Sequence, residues 1–94
     1  AYIEKELKQR SANEITELLL DGCKSKDIVG LDDHDFEKLN HLSFIGCDLE
    51  SLDGLRKLPE VRVLDLSENK ISSLEQIPKF LPNLYHLNIC GNPI

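Results

Sequence analysis

The chain has 94 residues, of which 40% are hydrophobic and 30% are charged, and its formal net charge at pH 7 is −6. A chain of this length forms one domain and buries only about 60–65% of its unfolded surface, which disfavours an enzyme with a deep pocket. The composition is typical of a folded protein rather than a disordered one. The acidic balance disfavours direct binding to nucleic acid phosphates.

Membrane and disulfide signals are weak in this sequence. No apolar stretch approaches the ~20 residues of a membrane span, and the charged N-terminus lacks the apolar region of a signal peptide. Three cysteines, Cys23, Cys47 and Cys90, form no C-x-x-C pair, so no disulfide framework is expected. We therefore expect a soluble intracellular protein without a cofactor or a membrane partner. Since the chain contains no methionine even at position 1, we expect it to be a piece of a longer protein.

The first 14 residues predict a helical cap. Ile3 and Leu7 fall on one face of a helix. Ser11 and Glu14 have the S-x-x-E spacing of a capping box, which predicts a further helical turn. Such a segment covers the first unit of a repeat protein, whose leucines are otherwise exposed to solvent.

A repeat organises the rest of the chain. The pattern L-x-x-L-x-L-x-x-N/C-x-L occurs four times, in repeats that start near residues 15, 39, 61 and 84. Its period and sequence are those of leucine-rich repeats. Each L-x-L triplet predicts a short strand with its leucines pointing inward. Stacking such units in parallel builds one continuous core.

The predicted fold is an α/β leucine-rich repeat solenoid that forms a single domain over residues 1–94. We expect right-handed curvature, with a parallel sheet on the concave side. Apolar residues three positions apart over 49–59 and 71–78 predict short helical returns on the convex side. The segment 31–39 reads as another return, with Phe36 and Leu39 pointing inward. No capping segment follows Ile94, so we expect truncation before a C-terminal cap.

The N/C column of the repeat predicts a structural ladder formed by Cys23, Cys47, Asn69 and Asn92. An asparagine amide both donates and accepts hydrogen bonds, so Asn69 and Asn92 are expected to hold the backbone of the turns after the strands. A thiol donates weakly. The turns at Cys23 and Cys47 are therefore expected to be less rigidly tied.

The residues that flank and separate the inward leucines predict an exposed surface, here called the sheet face, on the concave side of the solenoid. It comprises Glu17, Leu19, Asp21, His41, Ser43, Ile45, Val63, Asp65, Ser67, His86, Asn88 and Cys90, and all but Cys90 are candidate binding residues. Three carboxylates, two histidines and no lysine or arginine suit a basic protein partner. Exposed apolar residues beside the charges are typical of a contact surface.

Other candidate sites are weaker. The run Asp32–Asp35 contains metal-ligating residue types, but successive loop residues point in different directions, which favours a solvated turn. Cys23 and Cys47 occupy neighbouring repeats, which makes a disulfide between them one alternative, but two buried free thiols are favoured in a reducing compartment. Cys90 is predicted to point outward. His41 and His86 lie two strands apart and have no serine or cysteine nucleophile with a plausible proton relay, so an enzyme is not expected.

Three stretches resemble the acidic leucine-rich nuclear phosphoprotein 32 family. The stretch ELKQRSANEITELLLDGC, residues 6–23, is similar to that family's first helix end and first strand. LDLSENKIS, residues 64–72, and PNLYHLNICGNPI, residues 82–94, resemble its third and fourth repeats. The second repeat matches loosely, and Ile94 follows a proline where the family usually carries lysine. The chain therefore resembles a divergent member.

The resemblance implies binding rather than catalysis. It implies histone binding and chaperoning, inhibition of protein phosphatase 2A, and shuttling between nucleus and cytoplasm, on a domain that a long acidic tail follows in such proteins. The expected partners are basic proteins such as histones and a protein phosphatase, and we expect a monomer. The alternative is a scaffold subunit of a spliceosomal or protein phosphatase 1 complex, which holds a protein partner without preferring histones.

Overall fold

The computed structural model describes Ile3, Leu7 and residues 11–31 and 34–94. Four short strands in this part of the chain form one sheet: β1 (Glu17–Leu19), β2 (His41–Ser43), β3 (Val63–Asp65) and β4 (His86–Asn88). They are all parallel, and their order in the sheet is their order in the chain. The predicted parallel sheet of a leucine-rich repeat fold is confirmed.

The pairing register aligns equivalent positions of the four repeats. Leu18, Leu42, Leu64 and Leu87 lie side by side across the sheet. Because neighbouring residues of a strand point to opposite faces, this row points inward while the rows on either side of it point outward. The exposed fraction of these leucines is 0% in β1 and β2, 1% in β3 and 36% in the edge strand β4.

The core is one continuous cluster of buried apolar side chains. It includes Ile3 and Leu7 at the start of the chain and extends to Leu81. Phe36 and Leu39, which we predicted to point inward, are both buried. The core therefore passes through the first three repeats, and half-buried Leu84 of the fourth packs against it, as stacking requires when no single unit can cover its own apolar face.

The return segments contain less helix than the sequence predicts. The described residues include a 3₁₀ helix, Ala12–Glu14, and a short α-helix, α1 (Ile77–Phe80). Pro78 lies in the first turn of α1, where its missing N–H leaves no hydrogen bond unmade. No helix of the described residues is long and apolar enough to cross a bilayer.

The return over 49–59 forms isolated turns instead of the predicted helical segment. The Leu55 N–H donates to the Leu52 carbonyl at 3.1 Å, but Gly54, inside this turn, has a φ of +98°. That value lies far from the helical region, so the helix cannot propagate. The apolar spacing correctly predicted which side chains point inward, but the predicted helical conformation of this segment was wrong.

The predicted capping box is also wrong. The Ser11 side chain makes no capping hydrogen bond. Instead, the Glu14 N–H donates to the Ser11 carbonyl at 3.1 Å, because the short 3₁₀ turn already uses the amide that the hydroxyl would cap. The rest of the predicted cap, residues 1–2, 4–6 and 8–10, lies outside the described residues. The cap and the right-handed curvature remain predictions.

Candidate functional site

The sheet face consists of three rows of side chains. The strand register aligns the first two rows, Glu17, His41, Val63 and His86, then Leu19, Ser43, Asp65 and Asn88. Backbone hydrogen bonds beyond the strands continue the pairing into the third row, Asp21, Ile45, Ser67 and Cys90. The fold thus brings all the sequence-predicted face residues onto one surface.

Within the described part of the chain, hydrogen bonds hold Asp21 and Asp65 but not Glu17. Asp21 Oδ1 accepts from the Ser43 hydroxyl at 2.6 Å and from the Ile45 N–H at 2.9 Å. Asp65 Oδ1 accepts from the Ser67 N–H at 3.0 Å. In each aspartate the second oxygen makes no hydrogen bond within the described residues. Both carboxylates are therefore fixed in position and still present one oxygen to a partner.

Ser43 corrects the predicted set of contact residues. It lies in the second row, between Leu19 and Asp65, but only 2% of its surface is exposed. Its short side chain is covered by longer neighbours and is bonded to Asp21. We assign Ser43 to positioning the Asp21 carboxylate rather than to direct contact with a partner.

Apolar and neutral groups complete the sheet face. Leu19 is 42% exposed, and Ile45 and Val63 are half-buried. His41 is half-buried and His86 is exposed. These residues share one surface with the three carboxylates, a mixture that is typical of protein-contact surfaces.

The asparagine ladder lies along the turns after the strands. Asn69 is 5% exposed; its Oδ1 accepts from the Cys47 and Leu49 N–H groups at 3.0 Å each. Its Nδ2 donates to the Phe44 and Leu66 carbonyls at 2.7 and 2.8 Å. Asn92 repeats this arrangement one repeat further on: Oδ1 accepts from the Ile71 N–H at 3.0 Å, and Nδ2 donates to the Leu66 carbonyl at 2.8 Å.

Cys47 ties its turn to the first repeat with fewer hydrogen bonds than Asn69 makes one repeat further on. Its thiol is fully buried, donates to the Leu20 carbonyl at 3.0 Å and accepts from the Cys23 N–H at 3.4 Å. These correspond to bonds that an asparagine amide makes in the later repeats.

All three cysteines are free. Burial and the hydrogen bond with Cys47 raise the pKa of the Cys23 thiol from 9.0 to about 12.

A row of residues that sequence reasoning missed borders the sheet face. The four residues that directly precede the strands, here called the border row, are Thr16, Asn40, Arg62 and Tyr85. The Arg62 N–H donates to the Asn40 carbonyl at 2.9 Å, and the Tyr85 N–H donates to the Arg62 carbonyl at 3.0 Å. All four residues are exposed. Their shared position in the repeat is the signal that would have identified them.

No group of three or more histidine, cysteine or carboxylate side chains in the described residues has the arrangement of a metal site. Asp32 and Asp33, from the loop considered as a metal cluster, lie outside those residues.

An open hollow of about 230 Å³ lies beyond the ends of β1 to β3, on the side of the asparagine ladder. Among the residues that line it are Lys24, Lys26, Asp48, Glu50 and Lys70. The alternation of opposite charges there is typical of a solvated surface.

Comparison with known proteins agrees with this geometry. The family model described as "Leucine Rich repeats (2 copies)" matches residues 37–79 and 59–94. The chain is 46% identical over 92 residues, 98% of its length, to acidic leucine-rich nuclear phosphoprotein 32 family member A of Drosophila melanogaster. The identity and coverage are the same with the protein of that name from Drosophila pseudoobscura pseudoobscura. The chain spans 35% of the length of each of these relatives.

Proposed function

Since the chain belongs to the acidic leucine-rich nuclear phosphoprotein 32 family and comprises leucine-rich repeats of its N-terminal domain, we propose that it binds basic proteins, histones included, through its sheet face. A leucine-rich repeat domain of this family is a protein-interaction module. The relatives are named nuclear phosphoproteins. A nuclear location supports the proposal, because the nucleus is where histones are found. Action as a histone chaperone and shuttling to the cytoplasm belong to the same proposal.

The observation that carries this proposal is the charge of the sheet face. Glu17 and Asp21 belong to the first repeat and Asp65 to the third, and all three lie on one aligned surface that contains no lysine or arginine. Carboxylates of one sign on a shared surface raise the local potential and speed the encounter with positive groups. The hydrogen bonds of Asp21 and Asp65 preorganise two of these groups, which reduces the entropy lost on binding.

A charge-neutralised variant tests the assignment to the sheet face. We expect the combination Glu17→Gln, Asp21→Asn and Asp65→Asn to weaken binding to purified core histones at least tenfold and to reduce the dependence of affinity on salt. The amides retain an oxygen that accepts the structural hydrogen bonds. Affinity is measured by fluorescence anisotropy across a salt series, and a thermal melt verifies folding.

The matched control separates the sheet face from the overall acidity. Glu37→Gln, Glu50→Gln and Glu75→Gln change three exposed carboxylates outside the sheet face and produce the same change in net charge. We expect this control to lose much less affinity than the sheet-face variant. Equal losses in the two variants would mean that histones respond to net charge, and the sheet-face assignment would be abandoned.

Inhibition of protein phosphatase 2A is the second activity we propose, and family membership alone supports it. We expect the domain to lower the activity of the purified phosphatase on a phosphopeptide, and a lack of inhibition at micromolar domain concentrations contradicts this. The alternative, a scaffold subunit of a spliceosomal or protein phosphatase 1 complex, has weaker support. The identity to the nuclear phosphoprotein relatives extends over nearly the whole chain, whereas the repeats alone are common to all these groups.

A further inference from the structure

The border row gives one corner of the binding surface the opposite character to the sheet face. Arg62 precedes β3 and Tyr85 precedes β4, and the two strands are paired neighbours. The N–H groups of Tyr85 and His86 both donate to the Arg62 carbonyl at 3.0 Å. This shared acceptor fixes the three residues side by side at one edge of the sheet.

The side chains at this corner are hydrogen-bond donors that have no partner among the residues the structure describes. Arg62 and His86 are exposed, and Tyr85 is 78% exposed, the largest value among the exposed apolar side chains of the described residues. None of the three side chains makes a hydrogen bond or ion pair within the described part of the chain. By contrast, Asp21 and Asp65 are bonded to neighbouring groups. The donors of this corner are therefore available to a ligand.

The chemistry of this corner selects an anionic group. A guanidinium presents paired N–H groups that match the two oxygens of a carboxylate. A phenol and an imidazole add further donors. Tyrosine and arginine are also the residue types that most often dominate the energy of a protein interface. An acidic side chain of a bound protein fits these groups.

We propose that Arg62 and Tyr85 form a second contact that receives an aspartate or glutamate of the partner whose basic residues occupy the sheet face. The inference rests on the proposed function, because it concerns the same partner. Arg62 directly precedes β3 and lies three residues before Asp65, which corresponds to about 10 Å in an extended chain. The partner segment therefore carries its acidic residue about 10 Å from a basic one.

This arrangement makes the site select for charge pattern rather than for positive charge alone. A partner segment whose charged residues are all lysines pairs with Glu17, Asp21 and Asp65 but places a positive charge near Arg62. A segment with a correctly spaced acidic residue satisfies both contacts. Arg62 is thus a specificity-determining residue, and the sheet-face carboxylates supply the common attraction.

A peptide pair tests the proposal. The first fluorescein-labelled peptide carries three lysines and one glutamate placed three residues from the nearest lysine, and the second has glutamine in place of the glutamate. We expect the wild-type domain to bind the glutamate peptide about tenfold more tightly, as for one charge-assisted contact at the rim of an interface. Arg62→Gln is expected to abolish this difference and to leave the affinity for the glutamine peptide unchanged or improved.

Two further variants complete the experiment. Tyr85→Ala is expected to reduce the preference for the glutamate peptide several-fold, and a thermal melt verifies that the variant is folded. Lys79→Gln removes an exposed cation in α1, away from the sheet face, and is expected to keep the preference intact. A Lys79→Gln effect equal to that of Arg62→Gln would overturn the proposal in favour of general electrostatics.

The outcomes separate this inference from the proposed function. Equal binding of the two peptides to the wild type, with no effect of Arg62→Gln, would overturn the second contact and leave the acidic sheet face as the binding surface. A lack of binding to either peptide would contradict both. Phosphoserine in place of the glutamate is a third arm: stronger, Arg62-dependent binding of that peptide would overturn the carboxylate assignment in favour of a phosphorylated partner.

Discussion

Asn69 and Cys47 both bond backbone groups of the turns after the strands, but one does so with an amide and the other with a thiol. After each strand the backbone turns away from the sheet, and this leaves buried N–H and carbonyl groups that need partners. The Asn69 side chain supplies both donors and acceptors to two adjacent turns. The Cys47 thiol supplies one donor and one acceptor, and sulfur does so at longer range and with less energy. The second repeat is therefore joined to the first by fewer strong bonds.

The first prediction concerns Asn69. We expect Asn69→Ala to lower the free energy of unfolding by about 3–5 kcal/mol, because several buried backbone groups lose their partners at once. Urea denaturation followed by circular dichroism measures the change. The control is Asn83→Ala, which removes one exposed hydrogen bond to the Pro59 carbonyl and is expected to cost about 0.5–1.5 kcal/mol. Equal losses would mean that the ladder is not a special stabilising element.

The second prediction concerns the thiols. Because the pKa of Cys23 is raised to about 12 and Cys90 is exposed, we expect iodoacetamide at pH 8 to alkylate Cys90 well before Cys23. Buried Cys47 is expected to react only after unfolding. Mass spectrometry of timed samples gives the order, and alkylation of Cys23 as fast as that of Cys90 would contradict it.

The same pKa shift predicts how stability depends on pH. The unfolded thiol loses its proton above its ordinary pKa of 9.0, whereas the folded thiol keeps it up to about 12. The stability from this group is therefore complete below pH 9 and is lost as the pH rises toward 12. We expect Cys23→Ser to lose less stability than the wild type between pH 9 and 11 in urea titrations. Parallel losses in the two proteins would contradict the shift.

At the scale of elements, the return segments depend on single residues more than on helix propensity. Apolar residues three apart suit both a 3₁₀ helix and a series of separate turns, since either conformation places them on one side. In the second repeat Gly54 decides between these alternatives with its positive φ. An ideal Cβ at Gly54 would lie 1.9 Å from the Ile28 carbonyl oxygen. The close contact of these two returns therefore requires glycine.

The third prediction follows from that contact. We expect Gly54→Ala to lower the free energy of unfolding by about 2–4 kcal/mol, because the added methyl forces the two returns apart in addition to straining φ. Gly22→Ala is the matched control, since Gly22 has a φ of +73° but no atom within 4 Å of its ideal Cβ. We expect it to cost about 1–2 kcal/mol, the conformational strain alone. Similar values in thermal melts would mean that the steric contact is relieved without loss.

At the scale of the whole molecule, stability is distributed unevenly along the stack. A repeat protein gains its stability from contacts between neighbouring units. Leu64 in β3 has paired strands on both sides, whereas Leu87 in β4 has one. Their exposed fractions are 1% and 36%, whereas Leu18 in the other edge strand, β1, is fully buried, so the number of paired strands alone does not set the burial of this row. The same residue type at the same repeat position therefore contributes different amounts of energy.

The fourth prediction compares these two leucines. We expect Leu64→Ala to lower the free energy of unfolding by about 2–5 kcal/mol, as for truncation of a fully buried leucine. Leu87→Ala is expected to cost less than about 1.5 kcal/mol, because much of its side chain already contacts water. Chemical denaturation of both variants under the same conditions provides the comparison. Equal losses would contradict the inward register described for β1 to β4.

Several features of the chain could be predicted from the sequence because they are periodic. The spacing of leucines identified the strands, their parallel stacking and the residues of the sheet face, since a period of two within each strand and of about 23 residues between strands leaves one consistent alignment. The N/C column located the ladder in the same way. Resemblance over residues 6–23, 64–72 and 82–94 identified the family, which the 46% identity supports.

Only the tertiary structure decided the features that depend on contacts between repeats. Ser43 has the pattern of an exposed residue, but Asp21 from the neighbouring repeat covers and bonds it. The Cys47 thiol has bonding groups within reach only because the first repeat presents Leu20 and Cys23 to it. Arg62 and Tyr85 lie 23 positions apart in the chain and become neighbours through strand pairing. The sequence period predicts the side of a strand on which a residue lies. The neighbours of that residue across the sheet depend on the register with which the repeats stack in the folded protein.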